Sequence, residues 1–453
     1  MSDALKLAPP IPAPRAGQRF TFSGLVGSSD AALIAQSALR YRSEFSVMVI
    51  FCAQAQEAQR LLEEIPAFAP QLKTRLLPDW EILPYDHFSP HQDLVSERLA
   101  TLYELLNGSC DIVLVPITTA LQRLGPPNFL SGHTFFFRQG DKLNEAALKL
   151  QLQQAGYDPV SAVMRPGEYS IRGGLIDLFP MGSSLPYRLD LFGDEIEQIR
   201  AFDPDTQRSL YPVKEVRLLP GHEFPFDDAS RTAFRGRWRE VFEGDPTRCS
   251  IYKDANLGIP SAGIESYLPL FFEESSTVFD YFPRSGDPVW LVSIGDIEES
   301  IKGFWKDTLS RYEFLKHDLD RPILPPTELF LDVDQFFTAA KPNARLTLDK
   351  EADKETKEAP QFLAVPDLAV HRRDADPMNR LRALVSQEKV RVLICSDSNG
   401  RKESIRQLFE ESNSVAGQNG KPLYPLKPEG FEGIADFIKS DSLFGLVTAQ
   451  LFN

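Results

Sequence analysis

Val47-Met48-Val49-Ile50-Phe51 is an unbroken apolar run, and from Gln54 to Ile65 the residues Ala55, Ala58, Leu61, Leu62 and Ile65 recur at helical spacing. A buried strand leading into an amphipathic helix is the unit from which parallel sheets are built. The unit repeats downstream. Asp111-Ile112-Val113-Leu114-Val115 reads as a second buried strand, and Pro116 ends it before a helical stretch from Thr118 to Leu124. Residues 20–132 therefore read as one half of an α/β domain.

Working outward, the texture changes from His133 to Leu219. An aromatic strand (Phe135-Phe136-Phe137), one helix (Asn144 to Ala155) and several short strands between Gly and Pro turns suggest a small α+β domain inserted into the first. Residues 220–340 return to long apolar elements, with Trp290-Leu291-Val292 as a strand and Ile297 to Leu315 as a helix, and read as the second half of the interrupted domain. Lys341 to Pro360 carries ten charges, five of each sign, with a proline at each end of the stretch, and reads as a solvated linker. Residues 361–453 repeat the α/β pattern on a small scale: a strand from Val390 to Cys395, a helix from Arg401 to Glu410 and a strand from Leu443 to Leu451. The Pro- and Ala-rich residues 1–19 read as a disordered arm.

Composition agrees with a folded chain of about two to four domains: 453 residues, 42% hydrophobic and 25% charged. Forty-nine basic against sixty-four acidic side chains leave a net charge of −15, which opposes non-specific wrapping of nucleic acid or anionic membrane. Cys52, Cys110, Cys249 and Cys395 lie far apart without metal-ligand spacing, as expected of reduced, buried thiols in a cytoplasmic protein. No apolar run approaches the roughly 18 residues that a membrane span needs, and the N-terminus lacks the apolar segment of a secretion signal.

A phosphate-binding loop needs glycines that let backbone N–H groups face the phosphates, a lysine for the outer ones and a hydroxyl for magnesium. The candidate is Gly24-Leu25-Val26-Gly27-Ser28-Ser29-Asp30-Ala31. Ser29 stands where the second glycine belongs, Asp30 where the lysine belongs and Ala31 where the hydroxyl belongs, so no cofactor is expected there. A helix N-terminus capped by Ser28, Ser29 or Asp30 is the alternative. Asp194-Glu195 could be a magnesium-binding pair, but Gly193 before it and Ile196 and Ile199 after it suggest a hairpin turn. Leu77 to Asp93 gathers His87, His91, several acids and three aromatics, as a metal or acid/base site would. Pro84 and Pro90 argue instead for a rigid loop leading into a helix from Leu94 to Leu106. Neither a catalytic residue nor a metal ligand is assigned.

Three stretches carry a resemblance. Leu77 to Arg98, followed by Ala100-Thr101-Leu102-Tyr103, resembles the signature near the start of the bacterial transcription-repair coupling factors (Mfd). So do Gly167-Glu168-Tyr169-Ser170-Ile171-Arg172-Gly173-Gly174-Leu175-Ile176-Asp177-Leu178-Phe179-Pro180 and Leu185 to Glu197, which also look like the repair helicase UvrB. The resemblance implies a degenerate helicase-like fold of the P-loop NTPase class that has lost nucleotide binding. It implies an inserted domain that recruits the damage-recognition ATPase UvrA, with Arg172, Arg188 and Phe192 at the positions implicated. Arg188 and Phe192, four apart on an extended run, share one sheet face, with Leu189 and Leu191 on the other. Arg165 and Arg200 are candidates to extend the patch. The plain alternative is that these arginines pair with local acids such as Asp190 and Glu195. Ala262 to Phe272 resembles both families too, and its apolar density suggests core packing, with no chemistry for Glu265.

Family members are more than twice as long. The resemblance implies that RNA polymerase and DNA are engaged by other parts of such proteins, where an ATP- and magnesium-dependent translocase is found. The expectation for this chain is a non-hydrolysing recruitment module for nucleotide excision repair. The competing class is a nucleotide- or metal-dependent enzyme that processes DNA damage.

Overall fold

A computed structural model describes residues 11–284, 286–350, 362–371, 376–387, 390–413 and 424–451. The fold is mixed α/β. Its larger sheet has six parallel strands in the spatial order Arg19–Phe22, Ala344–Leu348, Trp290–Ile294, Met48–Cys52, Ile112–Pro116, Thr74–Leu76. Met48–Cys52 and Ile112–Pro116 are buried along their whole length, as continuous apolar runs in a sheet covered on both faces must be. Met48 and Ile50 pack with Leu61 and Ile65 of the helix Ala55–Phe68. Phe51 turns to the opposite side, against Phe279 and Phe336. Ala55 is exposed, so the helix buries Ala58, Leu61, Ile65 and Phe68 instead of beginning its apolar stripe at the first turn.

Two boundaries differ from the sequence reading. The expected linker 341–360 begins too early, because Ala344–Leu348 is an interior strand with Ala344, Leu346 and Leu348 buried. Its period-2 alternation is a strand signal, masked by the charges that follow it; residues 351–360 lie outside the described residues. The arm 1–19 is likewise not free over its described part. Ile11 is buried, Tyr41 donates to its carbonyl at 2.6 Å, Gly17 N–H donates to Pro342 at 3.0 Å, and the first strand starts at Arg19. The helix expected over Thr118 to Leu124 is one turn, Ile117–Ala120, after which Gln122 and Leu124 form β-bridges to Phe330 and Ser276.

The second six-stranded sheet is drawn entirely from chain between Ile112–Pro116 and Trp290–Ile294 of the first. Its order is Ser209–Val213, Glu195–Phe202, Tyr187–Phe192, Leu175–Leu178, Glu168–Arg172, Asp158–Pro159, antiparallel except for the last pair. Gly193 takes a left-handed backbone (φ 65°) in the two-residue turn between Phe192 and Glu195. Inner-face Ile176, Leu178, Leu189, Ile196 and Ile199 join the same core as Val95, Leu99 and Leu102 of the helix Gln92–Leu106. A buried ion pair fastens the returning chain to that helix. Arg98 donates to Glu223 from Nε and Nη2 at 2.6 and 3.2 Å, and its third nitrogen reaches the Pro78 carbonyl at 2.7 Å. Three short parallel strands near the C-terminus, Val392–Ser396, Phe444–Thr448 and Glu429–Phe431, make a last sheet, with helix Asn399–Asn413 after the first of them. From this last unit Ile434 and Val447 reach the core around helix Ala55–Phe68.

Candidate functional site

The loop between strand Arg19–Phe22 and helix Ser29–Arg40 uses Gly24 and Gly27 at positive φ, as a phosphate loop would, but its side chains are already engaged. The Asp30 side chain is 2% exposed and ion-paired with Arg60, which also pairs with the fully buried Glu64. Ser28 Oγ donates to Glu64 Oε1 at 2.8 Å, and Ser29 Oγ accepts from Val26 N–H at 2.8 Å. Of the expected caps Ser28, Ser29 and Asp30, Ser28 stands at the N-cap but makes no side-chain cap, since its hydroxyl serves the neighbouring helix. Asp30 accepts instead from Ala31 N–H at 2.7 Å. Two buried carboxylates share one guanidinium where a phosphate loop would present a lysine, a field that disfavours polyphosphate.

The Leu77 to Asp93 segment spends its polar groups on fastening itself down. Asp79 accepts from Thr118 at 2.7 Å, Trp80 donates to Glu223 at 3.1 Å, Tyr85 to the Leu324 carbonyl at 3.0 Å, and Ser89 to Glu265 at 2.7 Å. His91 Nδ1 accepts from Asp93 N–H at 3.3 Å as the cap of helix Gln92–Leu106, while His87 is exposed. Among the described residues no group of three or more His, Cys, Asp or Glu is placed to hold a metal ion. Asp194-Glu195 occupies the hairpin turn and strand start that its neighbours suggest.

The outer face of the second sheet is different. In Tyr187–Phe192 the side chains alternate: Leu189 is buried inward, Leu191 packs against the same core, and Arg188, Asp190 and Phe192 lie on the other face. Strand register puts Asp177 opposite Arg188, and Arg172 on the next strand beyond Asp177. Arg188 donates to both Asp177 oxygens at 2.7 and 2.9 Å, and Arg172 donates to Oδ2 at 2.7 Å. The Arg188 guanidinium also covers the Phe202 ring at 4.8 Å. Arg200 pairs with Asp190 beside them. Phe192 stands at the hairpin end, 79% exposed, with Leu175 also exposed on a neighbouring strand. Arg165 is elsewhere, lining a cleft against helix Gln92–Leu106.

Local pairing of the arginines is thus present, but through Asp177 for Arg172 and Arg188. Glu195 takes neither of them. Sequence reasoning passed over Asp177; its signal is a lone acid inside the apolar strand Leu175–Leu178. The arrangement is a paired-charge platform: two guanidiniums in fixed orientation with donors left over, on the same sheet face as an unburied ring. Such a surface suits recognition of carboxylates and an apolar pocket on another protein.

A family model described as the UvrB interaction domain matches residues 135–224, the stretch that contains this sheet. The class is therefore that of proteins carrying a UvrB-type interaction domain. Over 398 residues the chain is 42% identical to a transcription-repair-coupling factor of Escherichia coli (strain K12), covering 87% of this chain and 34% of that protein. The corresponding protein of Haemophilus influenzae is 39% identical over 370 residues, covering 80% and 32%, and that of Myxococcus xanthus 32% over 343 residues, covering 71% and 28%. The chain belongs to the transcription-repair-coupling factor family and spans about a third of the length of the curated relatives it matches. Among the described residues no helix is long and apolar enough to cross a membrane.

Proposed function

We propose that this chain recruits UvrA for transcription-coupled nucleotide excision repair, and that the outer face of the second sheet is the docking surface. The observation that carries the reading is the exposed Phe192 ring on the same sheet face as Arg172 and Arg188, within the segment that matches the UvrB interaction domain. Arg188 and Arg172 supply charge-assisted hydrogen bonds to acidic groups on UvrA, and Phe192 supplies the apolar anchor. Residues 20–132 and 220–350 form one helicase-like lobe into which residues 133–219 are inserted, a reading supported by the strand order of the two sheets.

This lobe does not hydrolyse nucleotide, a reading supported by the Asp30–Arg60–Glu64 network at its phosphate-loop position. ATP-driven DNA translocation and contact with RNA polymerase belong to the remaining two thirds of such proteins. The test is binding of purified UvrA to the chain and to Arg172→Ala, Arg188→Ala and Phe192→Ala. Each variant is expected to lose about tenfold or more in affinity. Unchanged affinity in all three overturns the assignment.

A further inference from the structure

A cavity of about 270 Å³ lies between the Asp79–Tyr85 segment, the Thr118–Arg123 turn and the helix Ile297–Leu315. It sits beyond the carboxyl ends of the parallel strands Thr74–Leu76 and Ile112–Pro116, the side on which α/β sheets bind ligands. Its walls are mostly apolar, with Trp80, Leu268, Leu329 and Phe330 among them. A cavity of about 150 Å³ already accommodates benzene, so this one has room for a two-ring molecule.

Polar groups without partners face the same space. Gln122 Oε1 and Thr308 Oγ1, on residues 6% and 1% exposed, have no hydrogen-bond partner among the described residues and belong to different elements of the wall. Buried polar atoms are rarely left unanswered, and two in one apolar cavity point to a hydrogen-bonding partner from outside the chain, which at Gln122 Oε1 must be a donor. The Glu265 carboxylate lines the cavity as well, accepting from Ser89 Oγ at 2.7 Å and making no ion pair among the described residues. A second cavity of about 160 Å³ shares Trp80 and Glu265 with the first, so this carboxylate borders both.

The charge balance selects the sign of the ligand. Of the charged lining residues, Asp79 is occupied by Thr118 and Thr119, and Arg311 by the Pro84 carbonyl and Asp86. Once Glu265 is ionised, it and Asp307 stand against Arg123, an excess of one negative charge. We propose that the cavity binds a small aromatic amine, its ring held by the apolar walls, its ammonium by Glu265 and a second donor by Gln122 Oε1. Burial pushes the Glu265 carboxyl up to about 7, as befits a carboxylate lacking the cation this ligand would bring.

Three probes of one ring and different charge test this on the full chain by calorimetry: tryptamine, indole and indole-3-propionate. Tryptamine is expected to bind about tenfold more tightly than indole, and the propionate not at all. Glu265→Gln, which preserves shape, should bring tryptamine to the affinity of indole while leaving indole itself unchanged. Gln122→Leu should weaken both. Failure of all three probes to bind, equal binding of tryptamine and the propionate, or indifference of tryptamine to Glu265→Gln each overturns the proposal.

Discussion

Arg188 and Asp177 face one another across adjacent antiparallel strands, with the arginine's Nε and Nη2 on the two carboxylate oxygens at 2.7 and 2.9 Å. Asp177 is 1% exposed, so the pair does structural work before any partner arrives. Arg188→Ala removes two of the three guanidinium bonds to Asp177 and leaves Arg172 as the one cation on this buried carboxylate among the described residues. The expected cost is about 2 kcal/mol, whereas Phe192→Ala, on an exposed ring, should stay within about 0.5 kcal/mol. Urea denaturation of both variants checks this. An unchanged midpoint for Arg188→Ala would mean that the pair contributes nothing to the fold, and Phe192→Ala is the cleaner reporter of docking in either case.

The Asp30–Arg60–Glu64 network makes a second prediction. Both carboxylates are buried and share one guanidinium, so Arg60→Ala takes the counter-ion from two charges at once. Removing one member of a buried ion pair typically costs about 3–5 kcal/mol. The double variant Asp30→Ala/Arg60→Ala should be less damaged than the two single losses added together, because one of the two carboxylates that lost its counter-ion is gone. A double-mutant cycle by denaturation measures this coupling. Strict additivity would show that the contacts are not energetically linked.

Much of the architecture can be read from the chain before any coordinates, for physical reasons that also mark where reading stops. Met48–Cys52 and Ile112–Pro116 are covered on both faces, so they appear as uninterrupted apolar runs, and Trp290–Ile294 is broken only at the half-buried Ser293. Ala344–Leu348 is just as interior to the sheet, but its Arg345 and Thr347 break the run and dense charge follows it. Arg188 and Phe192 were readable as sharing a face because strand alternation is local. The partnership with Asp177 was not, since it depends on which strands become neighbours. The cavity behind Trp80 is further from reach: Gln122, Glu265 and Thr308 come from segments far apart in sequence, and no spacing rule connects them.

Two half-buried titratable groups give opposite pH dependences. Burial raises Glu265 from 4.5 to about 7, so the native state holds its proton longer than the unfolded chain does. Its contribution is full below about pH 4.5 and is lost as pH rises through about 7. Burial lowers His222 from 6.5 to about 4, so its contribution is full above about pH 6.5 and is lost as pH falls through about 4. Between about pH 4.5 and 6.5 the two slopes oppose each other. Relative to the parent, Glu265→Gln should gain stability with rising pH over that window, and His222→Phe should lose it. Thermal melts across the window decide; parallel curves for both variants would contradict the desolvation of these groups.

The place where the second sheet's helix meets the returning chain sets a final, geometric test. Gly156 follows helix Glu145–Gln154 at φ 82°, and a Cβ there would lie 2.6 Å from His222 Cδ2. His222 has little room to retreat: its ring stacks on Phe224, which stacks in turn on Phe271. Gly221 is equally confined, since its own Cβ would fall 2.3 Å from the Gly156 carbonyl oxygen. Gly140 offers the control, with φ 90° but open space where a Cβ would go. Gly140→Ala should therefore cost about 1 kcal/mol for the left-handed backbone alone, and Gly156→Ala at least about 1 kcal/mol more for displacing the histidine. Denaturation midpoints of the two variants isolate the difference. Equal losses would mean that His222 yields freely, and that the contact between helix Glu145–Gln154 and the segment leading to Glu223 is looser than its packing implies.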